Sequence, residues 1–518
     1  MASRKRGLWS RALAAVGLQR LPTATRNTDS YAGAQINRLM LDWIRAPLSA
    51  DKELAAGRAQ LVARSRDLCR NNGYGRRFVK MSQHHIVGAD GIVLRAVNTM
   101  VNGRPLDSIN DAVEAAWTRW SQPQYCTTNG RLSWIELQRL AVAEWKQAGE
   151  FLCQIVADAS NPFGLSLHPI DADRLDDTLN VRAGTGQNEI RAGVELDRIG
   201  RAVAYHILTV HPSDVGLAKA RSQYRERIPA ADIVHVYQRD ERAELSRGIP
   251  QMAVAMRDLR HLDQAQEAAI VALRAAAANP LFIETASPDG EVLAPDEDLY
   301  VSGDPGMATA LGVGQHVAAP QMSQPRDTHP SLVKCFVRGI ATGLGVSYNA
   351  IANDLEGVNM SSLRVGRHEE QETWKAEQAM LITQLCQPVF DRWIVSALLH
   401  GQISGAAYDV ARVSRIQWHP RRWASVDPLK DVETHEKRVA LGLDSRTQIV
   451  AAEGGDLWQT WDYLNEEAEY AEEIGIDIAP PRTTSSGQPD ANTEAPTSAE
   501  TAAPPEAGRA LHMMRGAR

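Results

Sequence analysis

The sequence lacks the short motifs that carry most enzyme chemistry. It contains neither a GxxxxGK[ST] motif nor any Gly-Lys pair, so it has no glycine-rich loop of the kind that cradles nucleotide phosphates. No HExxH zinc motif is present, and the stretch 401–405 places Ser404 off-centre for a nucleophile elbow. These absences predict a protein that has no catalytic residues, no cofactor and no bound metal.

Cysteine is scarce, and long apolar runs are missing. The five cysteines, at positions 69, 126, 153, 335 and 386, lie far apart and form no CxxC pair. This spacing predicts reduced, buried thiols rather than a zinc site or a redox pair. The longest uncharged run, 305–325, is rich in Gly, Pro, Gln and Ser, and could not satisfy its backbone polar groups in lipid. The sequence therefore predicts no membrane span.

Basic charge is not in excess either. The formal net charge is −7 and the pI is about 6.1, which argues against a protein that grips nucleic acid by a wide basic surface. The same balance is compatible with a protein that encloses nucleic acid without gripping it.

A length of 518 residues is enough for two to four domains, each with a sizeable core.

The stretch 328–401 predicts a helix, a polar loop and a long helix. Pro330 fits the opening turn of the first helix, and Gly343 with Gly345 ends it. The second helix is predicted from about Ser361 to about 400, with a kink at Pro388. Its apolar stripe is formed by Trp374, Leu381, Leu385, Val389 and Trp393. Periodicity alone favours a plain helical hairpin with a solvated loop for this segment.

The rest of the chain predicts an α+β region followed by helices. Helices are expected over 59–86 with a break at 71–73, then over 111–120 and 134–149. Strands are expected at 92–94, 151–156, 193–196, 202–210 and 233–237, with a hairpin turn at Asp197-Arg198-Ile199-Gly200. Another helix is expected from Arg247-Gly248-Ile249-Pro250 onward, and three more over 428–441, 445–453 and 456–473. A short helix is also expected over 34–43.

One acidic cluster lies just after Pro169. Its members are Asp171, Asp173, Asp176 and Asp177. Carboxylates in such numbers could bind a hard cation, but the segment has no glycine hinge and no calcium-loop spacing. The alternative is a solvated loop, and no metal site is assigned.

Several stretches, in their order and spacing, resemble the lambda-type portal protein family of tailed bacteriophages. They include Arg66-Asp67-Leu68-Cys69-Arg70-Asn71-Asn72, Gly149-Glu150-Phe151, Gly193-Val194-Glu195-Leu196-Asp197, Arg247-Gly248-Ile249-Pro250, Gly343-Leu344-Gly345-Val346, Asn359-Met360-Ser361-Ser362-Leu363-Arg364 and Val426-Asp427-Pro428-Leu429-Lys430. The resemblance covers roughly 60–475, and Met360 departs from the aromatic residue that the family usually has there.

The resemblance implies an α+β portal-type subunit. It implies an α+β wing at 61–246, a stem helix at 247–279 and a clip at 280–326. An N-terminal arm at 1–60, expected to be partly disordered, lies outside the resemblance. The resemblance further implies a second stem helix at 327–345, a tunnel loop at 346–361, a long wing helix with its return at 362–423, and a helical crown at 424–478. A disordered tail at 479–518 lies outside the resemblance.

The function implied is that of a ring channel at one capsid vertex, usually a dodecamer in the family, through which DNA is packaged and later ejected. The implied partners are further copies of the chain, double-stranded DNA without sequence specificity, terminase, head-completion or tail connector proteins, and major capsid or scaffold protein. The implied location is the portal vertex of the virion, with the host cytoplasm during assembly.

Two groups of site residues follow from the resemblance. The DNA-facing tunnel loop would comprise Asn353, Asp354, Leu355, Glu356, Gly357, Val358, Asn359 and Met360. The partner-binding part of the clip would comprise Asp289, Glu291, Asp296, Glu297 and Asp298. Two alternatives stay open: a capsid-associated nucleic-acid enzyme such as a nuclease, for which only the acidic cluster offers metal ligands, and another structural connector or scaffold protein.

Overall fold

The structure is a computed structural model that describes residues 47–99, 106–214, 224–277, 282–285, 315–318, 329–356, 358–404, 409–423, 428–452 and 457–475. It divides after Val426 into two compact units. The predicted helix over 34–43, the predicted clip site residues and the C-terminal tail lie outside the described residues. The described part mixes helices and sheets, as the sequence predicts.

The first unit is the larger, and its helices precede and follow a central group of strands. These helices are α1 (Ala50–Ala55), α2 (Arg58–Asn71), α3 (Gly73–Ile86), α4 (Asp107–Trp120), α5 (Pro123–Cys126), α6 (Trp134–Ala148), α7 (Met256–Ala277), α8 (His329–Leu344), α9 (Tyr348–Ala352), α10 (Met360–Leu381), α11 (Gln387–Leu399) and α12 (Val410–Val413).

Its described strands form four small antiparallel sheets. The strands are β1 (Val93–Ala96), β2 (Glu150–Ala157), β3 (Leu165–Ile170), β4 (Glu189–Arg191), β5 (Val194–Leu196), β6 (Ala202–Leu208), β7 (Arg225–Pro229), β8 (Ile233–Tyr237), β9 (Phe282–Thr285), β10 (Gln315–Ala318) and β11 (Ile416–His419). The sheet orders are β1-β11, β10-β9, β3-β2-β8 and β4-β5-β6-β7.

The break between α2 and α3 is made by Asn72, within the predicted break at 71–73. Its backbone is extended, and its side-chain oxygen accepts hydrogen bonds from the backbone N–H groups of Tyr74 and Gly75 at 2.9 and 3.1 Å. Those N–H groups have no partner inside the helix, so the amide caps the start of α3. The Asn72 amide also donates to Asp263 at 2.7 Å, which ties this corner to α7.

The predicted hairpin at 197–200 is present between β5 and β6. One carboxylate oxygen of Asp197 accepts from the backbone N–H groups of Ile199 and Arg201, and Gly200 takes a positive φ of 83°. Strands β3, β4, β7 and β11 are not predicted by the sequence. Strand β3 contains a proline, and the sequence of β7, Arg-Glu-Arg-Ile-Pro, has one buried side chain and no alternating apolar pattern.

The long helix forms, and its predicted apolar stripe lies in the main core. Trp374, Leu381, Leu385, Val389 and Trp393 are all buried. A π-helical segment, Ile382–Cys386, separates α10 from α11 and lies just before Pro388. A proline lacks the N–H that would bond the carbonyl four residues earlier, so the wider turns occur where the α-helical bonding pattern is interrupted.

One predicted helix start is wrong. The residues Arg247 to Pro250 are not helical: a 3-10 turn covers Gln251–Val254, and α7 begins at Met256. Arg247 is instead fully buried among acidic side chains, where its guanidinium needs several partners that a helical position would not provide. The stem helix predicted for 247–279 is therefore shorter at its N-terminal end.

The cysteine prediction is correct for four residues and wrong for one. Cys69, Cys126, Cys153 and Cys386 are buried free thiols, whereas Cys335 is exposed. Cys335 lies on the outer face of α8, three residues from the exposed Leu332 and roughly opposite the buried Val337.

The second unit contains the three predicted helices. They are α13 (Pro428–Ala440), α14 (Arg446–Ala452) and α15 (Leu457–Ile474). Ser445 caps α14, because its hydroxyl accepts from the Gln448 N–H at 3.1 Å while the Gln448 side chain accepts from the Ser445 N–H at 2.9 Å. Among the residues that the structure describes, no helix is both long enough and apolar enough to cross a membrane.

Candidate functional site

The predicted tunnel loop begins where α8 ends. Gly345 has a φ of +68°, and the Val346 N–H returns to the Ala341 carbonyl at 3.0 Å, which closes the helix. Ser347 then caps α9, a helical turn inside the predicted loop, and Ile351 of that turn is buried. Asn353 ends the turn in the left-handed conformation with φ 53°. The loop is therefore partly structured rather than wholly solvated.

The two acids of the loop have a cationic partner. The Lys334 ammonium of α8 lies 3.0 Å from Glu356 Oε2 and 3.8 Å from Asp354 Oδ2. Asp354 also accepts from the Glu356 N–H at 2.9 Å and from the Tyr348 hydroxyl at 2.8 Å, and these bonds hold the pKa of its carboxyl below the usual value. The hydrogen bond to Glu356 raises the pKa of Lys334.

The other described loop residues differ in their exposure. Leu355 is two-thirds exposed, Val358 is half-buried and its N–H bonds the Leu355 carbonyl at 3.3 Å, and Asn359 is exposed. Gly357 and the Met360 side chain lie outside the described residues. No finding tests whether the loop faces DNA, so that assignment stays a prediction.

A cleft of about 900 Å³ adjoins the loop, and we call it the basic cleft. Its walls are α3, the loop, α10 and the return segment at 421–423. Arg76, Arg77 and Lys80 line it from one face of α3, a spacing visible in the sequence. Arg367 and Arg421 join them only through the fold. Among the described residues that line the cleft, Glu370 is the one acid.

The floor of the basic cleft is an aromatic stack. The His85 ring lies 5.3 Å from that of Trp374 and 6.1 Å from that of Trp423, at interplanar angles of 13° and 30°. The Trp423 indole N–H donates to His85 Nδ1 at 2.8 Å. Burial, with Arg421, His84 and Arg367 nearby, lowers the pKa of His85 to about 4. The imidazole is therefore neutral at pH 7.

The acidic cluster at 171–177 does not form one site. Arg66 bonds both Asp171 and Asp173, the first at 3.0 Å. The other two acids have arginine partners of their own: Arg225 for Asp176, and Arg58 with Arg247 for Asp177. The cluster is therefore a set of separate ion pairs, one of them with the buried Asp176, rather than the solvated loop that the sequence left as the alternative.

Part of this cluster has the spacing of a small cation site. One ligand atom each from Asp171, Asp173 and His211 lies within 4.8 Å of the others. Arg66 already supplies positive charge to the two carboxylates. A guanidinium in that position competes with a metal ion, so the geometry gives no reason to assign one.

A second charged group, which no local sequence pattern predicts, is fully buried. Glu150 accepts from Arg58 at 2.7 Å, from Arg247 at 2.6 Å and from the Gly248 N–H at 3.0 Å, and His235 lies 3.1 Å from it. Burial alone would raise the pKa of the Glu150 carboxyl, but Arg247 and Arg58 hold it well below its usual range. Arg247 also donates to three backbone carbonyls, those of Ala172, Leu175 and Ala192.

Two of the sequence stretches quoted above meet at this group. Gly149 has a φ of +89°, and a Cβ there would lie 2.4 Å from the backbone carbon of Ile249. A Cβ on Gly248 would lie 2.0 Å from the Gly149 carbonyl oxygen. Both positions therefore need glycine, because the two backbones touch. The contact joins the start of β2 to the segment that leads into α7.

The predicted docking acids of the clip lie outside the described residues. They are Asp289, Glu291, Asp296, Glu297 and Asp298. The described part of the clip is one antiparallel pair, β9 with β10, in which Phe282 pairs with Ala318 and Thr285 with Gln315. Because β9 lies near the start of the predicted clip and β10 near its end, their pairing brings the two ends of the predicted clip together.

Residues 37–378 match the family model described as "Phage portal protein, lambda family". A protein named as a probable portal protein of Halomonas phage phiHAP-1 is 29% identical over 466 residues, with 88% of each chain covered. Portal protein B of Escherichia phage lambda is 22% identical, with 89% of this chain and 92% of the relative covered. A chain from the neck of an empty gene transfer agent particle has a TM-score of 0.42 at 16% identity, with 76% of this chain and 93% of that chain covered.

Proposed function

Because the chain belongs to the lambda family of phage portal proteins, we propose that it assembles into a closed ring at one vertex of a capsid and forms the channel for DNA packaging and ejection. The observation that carries the proposal is the family match, which spans 37–378 and so includes the predicted wing, stem, clip and loop. The curated relatives named as portal proteins are matched along most of their length.

The exposed first half of helix α10 supports the proposal that the protein forms a ring. Its first half is mostly polar, and Arg367, Glu369 and Glu372 all lie on the surface. Apolar residues are few in this half, so packing within the subunit does not explain why the helix is so long. Neighbouring subunits in a ring would cover such a helix from the side. The family is typically dodecameric, and we propose a ring of about that size.

The channel role is supported by the charge of the loop. Asp354 and Glu356 are balanced in part by Lys334, so the loop presents little net charge. A surface of this kind makes few tight phosphate contacts, and each such contact would have to be broken as duplex DNA moved past. We therefore propose weak, sequence-independent contact between the loop at 346–361 and double-stranded DNA.

The remaining partners and the location follow from the same role. We propose that the clip at 280–326 docks terminase and the head-completion or tail proteins, and that the wing contacts capsid or scaffold protein. The finished ring would lie at the portal vertex of the virion, after assembly in the host cytoplasm. The motor would then be a separate ATPase.

The test is the mass of the purified full-length protein, measured by native mass spectrometry and by electron microscopy. A closed ring of about a dozen subunits is expected. A monodisperse monomer at high concentration would contradict the proposal, whereas a nuclease need not form a ring at all.

A further inference from the structure

The basic cleft holds cations that lack acidic partners. Among the described residues, no ion pair is formed by Arg76, Arg77, Lys80 or Arg367, and Arg77 bonds only the Ala350 carbonyl, at 2.8 Å. The carboxylate in the cleft wall, Glu370, is half-buried, and burial raises its pKa. The cleft therefore carries a strong positive charge in a chain whose net charge is negative.

The opposite side of α10 presents carboxylates to solvent. Arg367, Gln371 and Trp374 point towards the cleft. At about 100° per residue, the spacing i, i+4, i+7 places Val365, Glu369 and Glu372 together on the far side of the helix. We call these three residues the acidic face.

The acidic face is open to an incoming partner. Val365 is 69% exposed, and both acids are exposed. Glu369 has no ion-pair partner among the described residues. Glu372 pairs with Lys375 at 2.6 Å, but an exposed pair on one helix is worth little and exchanges readily. Farther along the same side, the exposed Ala376 and Ala379 leave room for close approach.

The basic cleft and the acidic face cannot neutralise each other within one subunit. They lie on opposite sides of the same helix, whose body is about 10 Å across. In a ring, however, each interface joins two different patches, one from each neighbour. An acidic patch on one side of α10 and a basic cleft on the other side have the arrangement that such a head-to-tail contact requires.

Resting on the proposed ring, we propose that the acidic face of α10 in one subunit docks against the basic cleft of the next subunit. Glu369 and Glu372 would supply carboxylates to Arg76 and Lys80 of the neighbour, which lie one turn apart on α3, and the contact would cover Val365. Each copy contributes one patch to each of two interfaces, so the contact repeats around the ring.

Charge reversal of each patch in the full-length protein tests the proposal. The cleft variant is Arg76→Glu with Lys80→Glu, and the helix variant is Glu369→Lys with Glu372→Lys. Each variant alone then faces like charge across every interface, which opposes association. The yield of rings by native mass spectrometry should fall at least about tenfold for each, most strongly at low salt, where screening is weak.

The two variants should restore assembly when they are mixed. The reversed cleft of one variant then meets the reversed helix of the other, and the two wild-type patches meet as well. A single chain that carries all four substitutions should also form rings. Rescue of either kind separates a lost interface from a misfolded subunit, because two misfolded chains do not repair each other.

A matched control reverses two charges elsewhere on the surface. Arg198→Glu with Arg201→Glu, in the exposed turn between β5 and β6, changes the net charge by the same amount as the cleft variant. This control should assemble normally. Loss of rings in the control as well would mean that net charge rather than the proposed contact governs assembly, which would overturn the inference.

The outcomes separate this inference from the proposed function. Rings from both reversed variants at wild-type yield would overturn the inference and leave the portal assignment standing. Failure of the mixture and of the four-substitution chain to assemble would also overturn it. Normal rings of the cleft variant with a weaker, less salt-dependent affinity for duplex DNA would identify the cleft as a phosphate site instead. Only a wild-type protein that forms no ring would overturn the proposed function itself.

Discussion

Glu150 lies where the start of β2 meets the segment that leads into α7, and the packing of these two segments depends on it. Its carboxylate is fully buried and is bonded by Arg58, Arg247 and the Gly248 N–H, beside His235. Removing the Glu150 charge leaves two buried arginines with fewer partners in a region that water does not reach. That loss is far larger than the loss of a surface ion pair.

Glu150→Gln should lower the free energy of unfolding by about 3–5 kcal/mol, the range for breaking a buried ion pair. The matched control is Glu189→Gln, which breaks a partly exposed pair with Arg191 and should change stability by about 1 kcal/mol or less. Urea unfolding followed by tryptophan fluorescence measures both. Equal effects of the two variants at pH 7 would contradict this account.

The contribution of Glu150 should also depend on pH. Because its folded-state pKa is depressed, the contribution is present above the unfolded pKa of about 4.3 and is lost as pH falls through the folded value. The difference in stability between wild type and Glu150→Gln should therefore shrink in acid.

His85 should make the stability of the wing sensitive to mildly acidic pH. Its folded-state pKa is about 4, below the unfolded value of about 6.5, so the unfolded chain binds more protons between these values. Stability should therefore fall as pH drops from 6.5 towards 4. The variant His85→Phe should be less stable at pH 7.5, since the Trp423 N–H loses its acceptor at a cost of about 1 kcal/mol, but its melting temperature should fall less between pH 6.5 and 4.5.

The measurement for His85 is thermal unfolding across this pH range, with His261→Asn, an exposed histidine on α7, as the control. The control should follow the wild-type profile. If His85→Phe also follows it, folding does not lower the pKa of the stacked imidazole, and this account is contradicted.

At the scale of elements, the predicted contacts with DNA and with partner proteins are assigned to the proposed tunnel loop at 346–361 and the proposed clip at 280–326. Asp354→Lys with Glu356→Lys should leave ring assembly intact, because Glu356 is exposed and Asp354 is only half-buried. The change places two lysines beside Lys334 and removes the acids that now balance it. Each lysine can then contact a phosphate, so DNA affinity should rise and become steeply salt-dependent, by a slope of about 0.9 per contact.

Packaging by virus that carries the double lysine variant should slow or stall, most at low salt. Lys334→Gln is the control, because it removes the same ion pairs yet leaves the loop negative, and it should not increase DNA affinity. Packaging at the normal rate with the double variant at low salt would show that the loop does not face the DNA.

The clip should carry the docking contacts. Neutralising its predicted acids should leave rings of normal mass that fail to support packaging; these acids are Asp289, Glu291, Asp296, Glu297 and Asp298. A control neutralises Asp240 and Glu241, two exposed acids that precede α7 in the sequence, and it should package normally. The assay is packaging by virus that carries each variant. Normal packaging with the neutralised clip would rule out these acids as docking residues.

At the scale of the whole molecule, the ring itself should have no turnover. The relatives are named as portal proteins, and the chain has no Gly-Lys pair for nucleotide phosphates. Arg66 lies across Asp171 and Asp173, where a nuclease would need its metal ions. ATPase and nuclease assays of the purified ring, with and without magnesium, should give background rates. Activity that disappears in Asp171→Ala or Asp173→Ala would contradict this prediction.

The sequence by itself determined the features that depend on nearby residues. The break at 71–73, the hairpin at 197–200 and the apolar stripe of the long helix each follow from a few neighbours and a simple period. The family could also be recognised from the sequence, because several short stretches together have the order and spacing typical of it, although no single motif is strong. Strand β7 could not be predicted from the sequence, because its own residues show no strand pattern and its pairing with β6 is what makes it a strand.

Only the tertiary structure decided which charges meet. Arg247 and Glu150 are 97 residues apart, and nothing in either local sequence marks them as partners. The same holds for Arg367 and Arg421, which complete the basic cleft that α3 begins, and for Lys334, which balances the acids of the loop. An ion pair has no period along the chain, so its members are fixed by how the elements pack. Net charge and composition therefore show only that the whole protein is acidic. The fold is what places the cations of the basic cleft next to one another beside α10.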